Sequence, residues 1–383
     1  MVLRLFNLLH GSNHAPYAVD SVKSLLHLPQ VGFTSETGRS ELMHHIRFSI
    51  DYLRRSSLLD VHGNPINLFG LTNHLYYTEP SNFALAALLK ERIIHRICNS
   101  SGPEDAKRHV LHLLCHLFGR RNVPRAYTSA ENVKELLAKS ASKVILSPLP
   151  KEAIRVLQDQ DQATLNIFNG YAIAFARQST DQLGLDVKLP LSGVAYEGSH
   201  ACDAFTEYLR STAIPVLARS SFVASSGHGD TFRSLDDLTH NVRTGIHLKE
   251  HGVPSFHHLT AENPHALNAY ILDFYNHGQT DPLVIANGIR RGEIWYLLQD
   301  FMLTLKTFRA SLAHMLTTAA EADSPDSDID MQMVDPAEAD PDANDSEGAL
   351  VRPPGVSDSD WKVYQVVHAL TEEFDAKFRK MWA

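Results

Sequence analysis

Histidine and cysteine are the residues of this sequence with the clearest capacity for metal chemistry. The chain has 22 histidines and 3 cysteines, and four of these residues share one predicted helix face: His109, His112, Cys115 and His116. Imidazole and thiolate are zinc ligands, but no established zinc spacing accompanies them. A leucine-rich helix also carries such residues as core or solvated polar groups, which is the interpretation we favour. A metal-dependent hydrolase stays as an alternative.

Nucleotide hydrolysis would need a glycine-rich loop ending in Gly-Lys-Ser/Thr and an acidic segment that holds magnesium. The sequence contains no such loop, no Gly-x-Ser-x-Gly elbow and no His-Glu-x-x-His motif. We therefore expect no catalysis by this chain alone, and no cofactor or metal held by it.

Arginine and tyrosine residues at two predicted loops form the candidate RNA-binding set. Arg120, Arg121 and Arg125 follow a predicted helix end, where their guanidinium groups would project together and suit phosphate contact. Tyr76 and Tyr77 flank another loop, and exposed aromatic rings stack on unpaired bases. The alternatives are surface ion pairs for the arginines and interhelical packing for the tyrosines.

The segment HLYYTEPSNF at 74–83 also predicts an elbow between two helices. In this interpretation Glu79 or Ser81 caps the second helix, and Pro80 sets its entry. His74 would satisfy buried backbone groups. The predicted elbow residues are His74, Glu79, Pro80, Ser81 and Asn82.

The elements that position these residues are mainly helical. Three helices followed by a short apolar run and a Gly-Asn-Pro turn predict a winged helix over 1–66. A helical, ratchet-like bundle with a few short strands follows over 67–320, then a disordered acidic linker at 321–354 and a docking helix at 355–383.

Apolar periodicity and end signals predict the individual elements of the bundle. They are one helix from Ser81 through Ile97, a helix from 104 that ends at Gly119, a strand at 142–147, and helices at 150–182, 264–277, 289–320 and 357–382. The segment 184–260 predicts only loops and short strands.

Charge is distributed unevenly along the chain. The net charge is −9, but eleven of the 44 acidic residues lie between Glu321 and Glu347, without a Lys or Arg. The remainder has 33 acidic against 35 basic residues, which permits RNA binding. The acidic stretch is either an inert linker or a segment for a basic partner.

Cellular location and chain origin follow from weaker patterns. Three cysteines without CxxC spacing indicate a reducing, intracellular compartment, and no apolar run is long enough to span a bilayer. The apolar segment MVLRLFNLL at 1–9 predicts a helix that lacks a capping residue. We therefore expect the chain to be the back part of a longer protein.

Six segments resemble the C-terminal region of superkiller-type DExD/H-box RNA helicases, particularly the interferon-induced antiviral type and its fungal relatives. They are MVLRLFNLL (1–9), YLRRSSLLDVHGNP (52–65), HLYYTEPSNF (74–83), HLFGRRNVP (116–124), LNAYILDFYNHG (267–278) and YLLQDFMLTLKTF (296–308). They occur in the same order as in that family and cover most of residues 1–310, whereas the acidic stretch has no equivalent.

The resemblance implies a winged helix and a ratchet-like bundle that support RecA-like motor domains and line an RNA path. It also implies a cytoplasmic parent that uses ATP and magnesium and senses viral-type RNA. Our leading hypothesis is therefore an RNA-helicase accessory module that contacts single-stranded RNA. The alternative is a free-standing helical scaffold that binds proteins and no RNA.

Overall fold

The structure is a computed structural model that describes residues 20, 36–66, 68–74, 79–124, 144–183, 256–260, 266–322 and 351–381. The predicted helix at 1–9, nearly all of 184–260 and the acidic residues from 323 to 350 lie outside these ranges.

Within the described ranges the chain is mostly helical. The helices are α1 (Glu36–Arg55), α2 (Phe69–His74), α3 (Glu79–Lys90), α4 (Ile93–Ser100), α5 (Pro103–Phe118), α6 (Lys151–Leu183), α7 (His257–Thr260), α8 (Tyr270–His277), α9 (Asp281–Ile285), α10 (Arg291–Ala322) and α11 (Asp358–Lys380). The helices predicted at 104–118, 150–182, 289–320 and 357–382 are confirmed.

The chain divides into two compact units. Unit 1 comprises Met1–Asn67 and Asp159–Ser255, and unit 2 comprises Leu68–Gln158 and Phe256–Ala383. The predicted domain boundaries after residues 66, 320 and 354 stay predictions.

Unit 1 is held by aromatic packing between α1 and the part of α6 after Asp159. Phe48 is buried, and its ring meets that of Phe168 edge to face, with centroids 4.9 Å apart and an interplanar angle of 81°. Tyr52 and Leu53 are buried on the same side of α1. Edge-to-face pairs are a preferred arrangement of aromatic quadrupoles, so this contact fixes the orientation of α1 on α6.

A tight turn after α1 corresponds to the wing predicted from the Gly-Asn-Pro sequence. Leu59 and Pro65 form an antiparallel bridge, and Ile66 N–H donates to the Leu58 carbonyl at 3.0 Å. Asp60 closes the turn by accepting hydrogen bonds from the backbone of His62 and Asn64, at 2.7 and 2.8 Å. A short Asx-type turn of this kind replaces a longer hairpin loop.

The single helix predicted from Ser81 through Ile97 is wrong. Arg92 has a left-handed backbone with φ 57°, so the chain turns between α3 and α4. The Arg92 N–H donates to the Leu89 carbonyl at 2.9 Å, which closes the turn. The apolar periodicity continues across the break because both helices bury Leu and Ile on the same core.

Unit 2 has its core along α11, which packs against α4, α5 and α10. Phe374 is completely buried at the centre. Its ring lies 5.3 Å from that of Phe274 on α8 and 5.5 Å from that of Phe301 on α10, centroid to centroid. The predicted docking of the final helix is therefore confirmed within this unit.

Charged groups fasten α11 around this apolar centre. Glu373 accepts hydrogen bonds from the Lys107 ammonium and from the Tyr275 hydroxyl, and the Lys377 ammonium donates to the Tyr275 carbonyl. Asp360 pairs with His95 at 2.9 Å. Since these contacts join α11 to α4, α5 and α8, they fix the register of the helix as well as its orientation.

No helix in the described parts of the chain has the length and apolar character needed to cross a lipid bilayer.

Candidate nucleic-acid interface

The predicted arginine loop begins where α5 ends, at a glycine that packing requires. Gly119 N–H donates to the Cys115 carbonyl at 3.1 Å and stops the helix. A Cβ atom at this position would lie 2.1 Å from Cδ1 of Ile271, a buried residue of α8. The close approach of α8 therefore determines where the chain leaves α5 and where Arg120 and Arg121 start.

Beyond Gly119, three extended segments pair with one another. Segment 266–269 lies in the middle: its Asn268 N–H donates to the Arg121 carbonyl at 2.7 Å, and Val123 N–H donates to the Ala266 carbonyl at 2.8 Å. On the other side Leu146 N–H donates to the Leu267 carbonyl at 2.8 Å. The strand predicted at 142–147 is thus a short paired segment, and the helix predicted from 264 begins at Tyr270 instead.

Two buried asparagines connect these segments to the start of α10. Asn268 and Asn287 exchange hydrogen bonds, with the Asn268 amide donating to the Asn287 carbonyl at 2.7 Å and the Asn287 amide donating to Asn268 Oδ1 at 3.0 Å. The same Oδ1 accepts from Tyr270 N–H at 3.0 Å. The Asn268 side chain thus has both its amide and its Oδ1 hydrogen-bonded, which holds the backbone around it in one arrangement.

Arg121 and Arg120 have different surroundings. Arg121 pairs with Glu293 in the first turn of α10 and keeps 38% of its side chain exposed. Arg120 is half-buried, and this burial lowers its pKa below the ordinary value for arginine. Of the predicted RNA-binding arginines, Arg121 lies next to the first turn of α10, where it contacts Glu293. Arg125 lies outside the described residues, as do Tyr76 and Tyr77.

Two more arginines surround the start of α10. Arg290 has 86% of its side chain exposed and lies 3.9 Å from Glu293, and Arg291 pairs with Asp281 at 2.8 Å with 74% of its side chain exposed. Three guanidinium groups with two carboxylate partners leave this end of the helix with net positive charge. Arg290 is held most loosely and is open to an incoming phosphate.

Exposed aromatic residues follow these arginines on α10. Trp295 and Tyr296 are 36% and 64% exposed, and their ring centroids are 5.0 Å apart. Trp295 lies one turn after Arg291, so the two side chains are neighbours on the helix surface. We call Arg290, Arg291, Trp295 and Tyr296 the α10 surface. Guanidinium groups next to exposed rings are the chemistry that single-stranded nucleic acids require.

The sequence interpretation did not include Trp295 and Tyr296 among the site residues. The apolar periodicity that predicts a helix at 289–320 is confirmed, since Ile294, Leu298 and Phe301 form a buried stripe on α10. In the segment IRRGEIWY the two aromatic residues follow the stripe position Ile294 directly. Positions 295 and 296 fall off the buried face at helical spacing, and this signal could have identified them.

Of the five predicted elbow residues, Ser81 and Asn82 have contacts that the sequence did not predict, and the roles of the other three stay predictions. α2 ends at His74 and α3 begins at Glu79, and the two helices pack against each other. Ser81 does not cap α3: it lies inside the helix, and its hydroxyl donates to the Leu117 carbonyl at 2.7 Å. Asn82 donates from its amide to the Thr72 carbonyl at 2.9 Å. Both buried side chains therefore fasten α3 to neighbouring segments.

The histidines of α5 are engaged in backbone contacts. His112 and His116 both donate from Nε2 to the Ser147 carbonyl, at 2.7 and 2.8 Å. Their rings meet edge to face at 5.0 Å. Burial lowers the pKa of His116 to about 4, with further lowering by nearby His112 and Arg120. His116 is therefore neutral and has a structural role, because its hydrogen bond to Ser147 holds the 144–147 segment against α5.

Gly119 allows a test of the packing that forms this region. Changing Gly119→Ala should lower the free energy of unfolding by about 1–3 kcal/mol, because the new methyl group overpacks against Ile271. Denaturant unfolding followed by tryptophan fluorescence measures this change. The control is Gly292→Ala on α10, where a Cβ would meet nothing within 4 Å, and which should be neutral or stabilise by up to about 1 kcal/mol. Equal effects of the two changes would contradict the argument.

Comparison with known proteins agrees with this organisation. Residues 1–73 match the family described as "DDX60-like, winged helix domain". The chain is 28% identical over 330 residues to the human "Probable ATP-dependent RNA helicase DDX60-like", which covers 82% of the chain and 19% of that protein. The chain resembles the C-terminal region of DDX60-type DExD/H-box helicases. This confirms the resemblance drawn from the six segments and the winged helix near the start of the chain.

Two further relatives named as helicases also match the chain. An uncharacterized helicase of Dictyostelium discoideum is 27% identical over 305 residues, which covers 74% of the chain and 15% of that protein. An uncharacterized helicase of Caenorhabditis elegans is 20% identical over 269 residues, which covers 70% of the chain and 14% of that protein. The chain thus spans less than a fifth of the length of each relative. No solved structure matches it.

Proposed function

We propose that this chain is a helicase-associated module that contacts single-stranded RNA and supports the RecA-like motor domains of a longer parent protein. The proposal rests on the α10 surface, where two exposed aromatic rings lie next to exposed guanidinium groups. The relatives are helicases by name, and one is named as an RNA helicase, which favours RNA over other anionic partners. We place this activity in the cytoplasm, with viral-type RNA as one candidate ligand.

We propose that the arginines and the aromatic residues of the α10 surface make different contacts with RNA. Arg290 and Arg291 neutralise phosphates, which supplies affinity without regard to sequence. Trp295 and Tyr296 offer ring faces to unpaired bases, a contact worth about 1–3 kcal/mol for each base. Ion pairs with Glu293 and Asp281 hold the guanidinium groups at this end of the helix before RNA arrives. Less side-chain freedom is then lost on binding.

Nucleotide hydrolysis is not assigned to any residue of this chain. The sequence has neither a phosphate loop nor an acidic magnesium segment, which are the groups that ATP hydrolysis with magnesium requires. Within the described residues no group of three or more His, Cys, Asp or Glu is arranged to hold a metal ion. We propose that ATP and magnesium act in the motor domains of the parent.

Titration of the chain with fluorescent single-stranded RNA at several salt concentrations tests RNA contact. We expect affinity to fall with salt, and Arg290→Ala to reduce the slope of log K against log salt by about 0.7, the contribution of one phosphate on a single strand. Tyr296→Ala should weaken binding roughly tenfold, whereas Tyr296→Phe should keep most of the affinity because the ring remains.

A matched arginine elsewhere in unit 2 provides the control. Arg155 on α6 is exposed, and Arg155→Ala should leave the salt slope unchanged. Failure of the unchanged chain to bind RNA at low salt would refute RNA contact and favour the alternative, a protein-binding scaffold. That alternative is supported by other exposed apolar residues of unit 2, Ile285 at 73% and Leu303 at 39%.

A further inference from the structure

A separate cleft lies in unit 2 between α5 and α8, and it has both charged and apolar lining residues. The cleft has a volume of about 360 Å³. One wall is a single face of α5, where Asp105, Arg108, His109 and His112 recur at helical spacing, and the other is formed by Leu272 and Asn276 on α8. Its volume falls in the range of small-ligand sites, about 300–1,000 Å³.

The charged groups of this cleft are exposed to solvent, and the charge of Arg108 also acts on the Tyr275 hydroxyl. Arg108 and Asp105 are both exposed, one helical turn apart, and neither forms a hydrogen bond or ion pair within the described parts of the chain. Other arginines of unit 2, such as Arg121 and Arg309, pair with carboxylates.

The imidazoles of the cleft are oriented by neighbours. His112 donates from Nε2 to the Ser147 carbonyl at 2.7 Å, which holds its ring as part of the wall. His109 has Nδ1 at 3.5 Å from the Ser101 hydroxyl. When that hydroxyl donates to Nδ1, the ring proton sits on Nε2, and Nε2 becomes a donor next to Arg108.

We propose that this cleft binds a ribonucleotide, either free or at the end of an RNA strand. Arg108 and His109 donate to the phosphate, as guanidinium and imidazole do for a terminal anionic group. Asp105 accepts from the ribose hydroxyls, the role that a carboxylate has in dinucleotide sites. Leu272 provides an apolar floor for the base, and Asn276 can hydrogen-bond its edge. The proposal is independent of RNA contact at the α10 surface.

Calorimetric titration of the full chain with AMP and dAMP tests the cleft. We expect saturable AMP binding, weaker binding of dAMP, and a loss of about tenfold in AMP affinity for Arg108→Ala. Asp105→Ala, which removes the acceptor for the ribose hydroxyls, should remove the preference for AMP over dAMP. Arg155→Ala is the control, and it should keep the affinity of the unchanged chain.

Three results would overturn the proposal: no saturable AMP binding, equal affinities for AMP and dAMP, or equal losses in Arg108→Ala and Arg155→Ala. Circular dichroism checks that each variant folds, and the exposure of Arg108 makes unfolding of its variant unexpected. A variant with Tyr296→Ala should still bind AMP, which separates this site from the α10 surface.

Competition distinguishes the two sources of the nucleotide once AMP binds. A short RNA with a 5′-phosphate should displace AMP if the site takes a strand end, whereas the same RNA with a 5′-hydroxyl should not. If neither RNA displaces AMP, the site takes the free nucleotide. Both results support the cleft as a ribonucleotide site.

Discussion

Phe374→Ala should lower the free energy of unfolding of unit 2 by about 3–5 kcal/mol, the loss typical of a large aromatic side chain removed from a core. Phe374 is completely buried, and its ring contacts those of Phe274 and Phe301. Its removal leaves a cavity where α8, α10 and α11 meet. Polar contacts of α11 surround this point, so the core has little freedom to collapse into the space.

Denaturant unfolding followed by tryptophan fluorescence measures this loss, since Trp295 and Trp361 lie in unit 2. The control is Gln365→Ala, an exposed change on the same helix, which should alter stability by no more than about 0.5 kcal/mol. A midpoint shift no larger for Phe374→Ala than for Gln365→Ala would show that α11 does not stabilise unit 2. That result would contradict the central position of Phe374 in the core of unit 2.

His116 should make the stability of unit 2 fall in mild acid. Burial, together with nearby His112 and Arg120, lowers its pKa from 6.5 to about 4, so the unfolded chain binds a proton that the folded chain excludes between these values. The stability due to the neutral ring is complete above pH 6.5 and is lost as the pH falls to about 4. The loss amounts to roughly 3 kcal/mol.

Unfolding free energies measured from pH 7 to pH 4 test this dependence. His116→Gln retains an amide donor toward the Ser147 carbonyl but does not titrate, so the variant should lose the corresponding part of the pH dependence. The matched control is His62→Gln in the exposed turn of unit 1. If the pH dependence of unit 2 is the same with and without the His116 imidazole, the ring is not a neutral structural group.

Helix positions were predictable where periodicity and end signals coincide. α5 has Pro103 at its start and Gly119 at its end, and α11 has Ser357 as a cap whose hydroxyl accepts from Asp360 N–H at 3.1 Å. The break between α3 and α4 was missed. Arg92 is not a residue type that signals a left-handed turn, and only the packing of both helices on one core selects that conformation.

The position of Arg121 was predictable in part. The sequence placed it after a helix end and the structure adds that Glu293 is its partner, while its role in RNA binding stays a prediction. Trp295 and Tyr296 lie in a helix that the sequence predicts, but the sequence did not identify them as exposed candidates for RNA contact. Aromatic type alone does not reveal exposure, because most such residues on a helix with a strong apolar stripe are buried.

The amino-acid sequence alone determined the helical character of the chain, the end of α5, the long helices α6 and α10, and the resemblance to DDX60-type helicases. These features depend on neighbouring residues, through caps, glycine and periodicity. Tertiary structure decided the pairing of 266–269 with two distant segments, the partner of Arg121 and the cleft of Arg108. Those contacts join residues that are far apart in the chain. They could not be predicted because tertiary packing selects the partners, and local sequence patterns do not encode it.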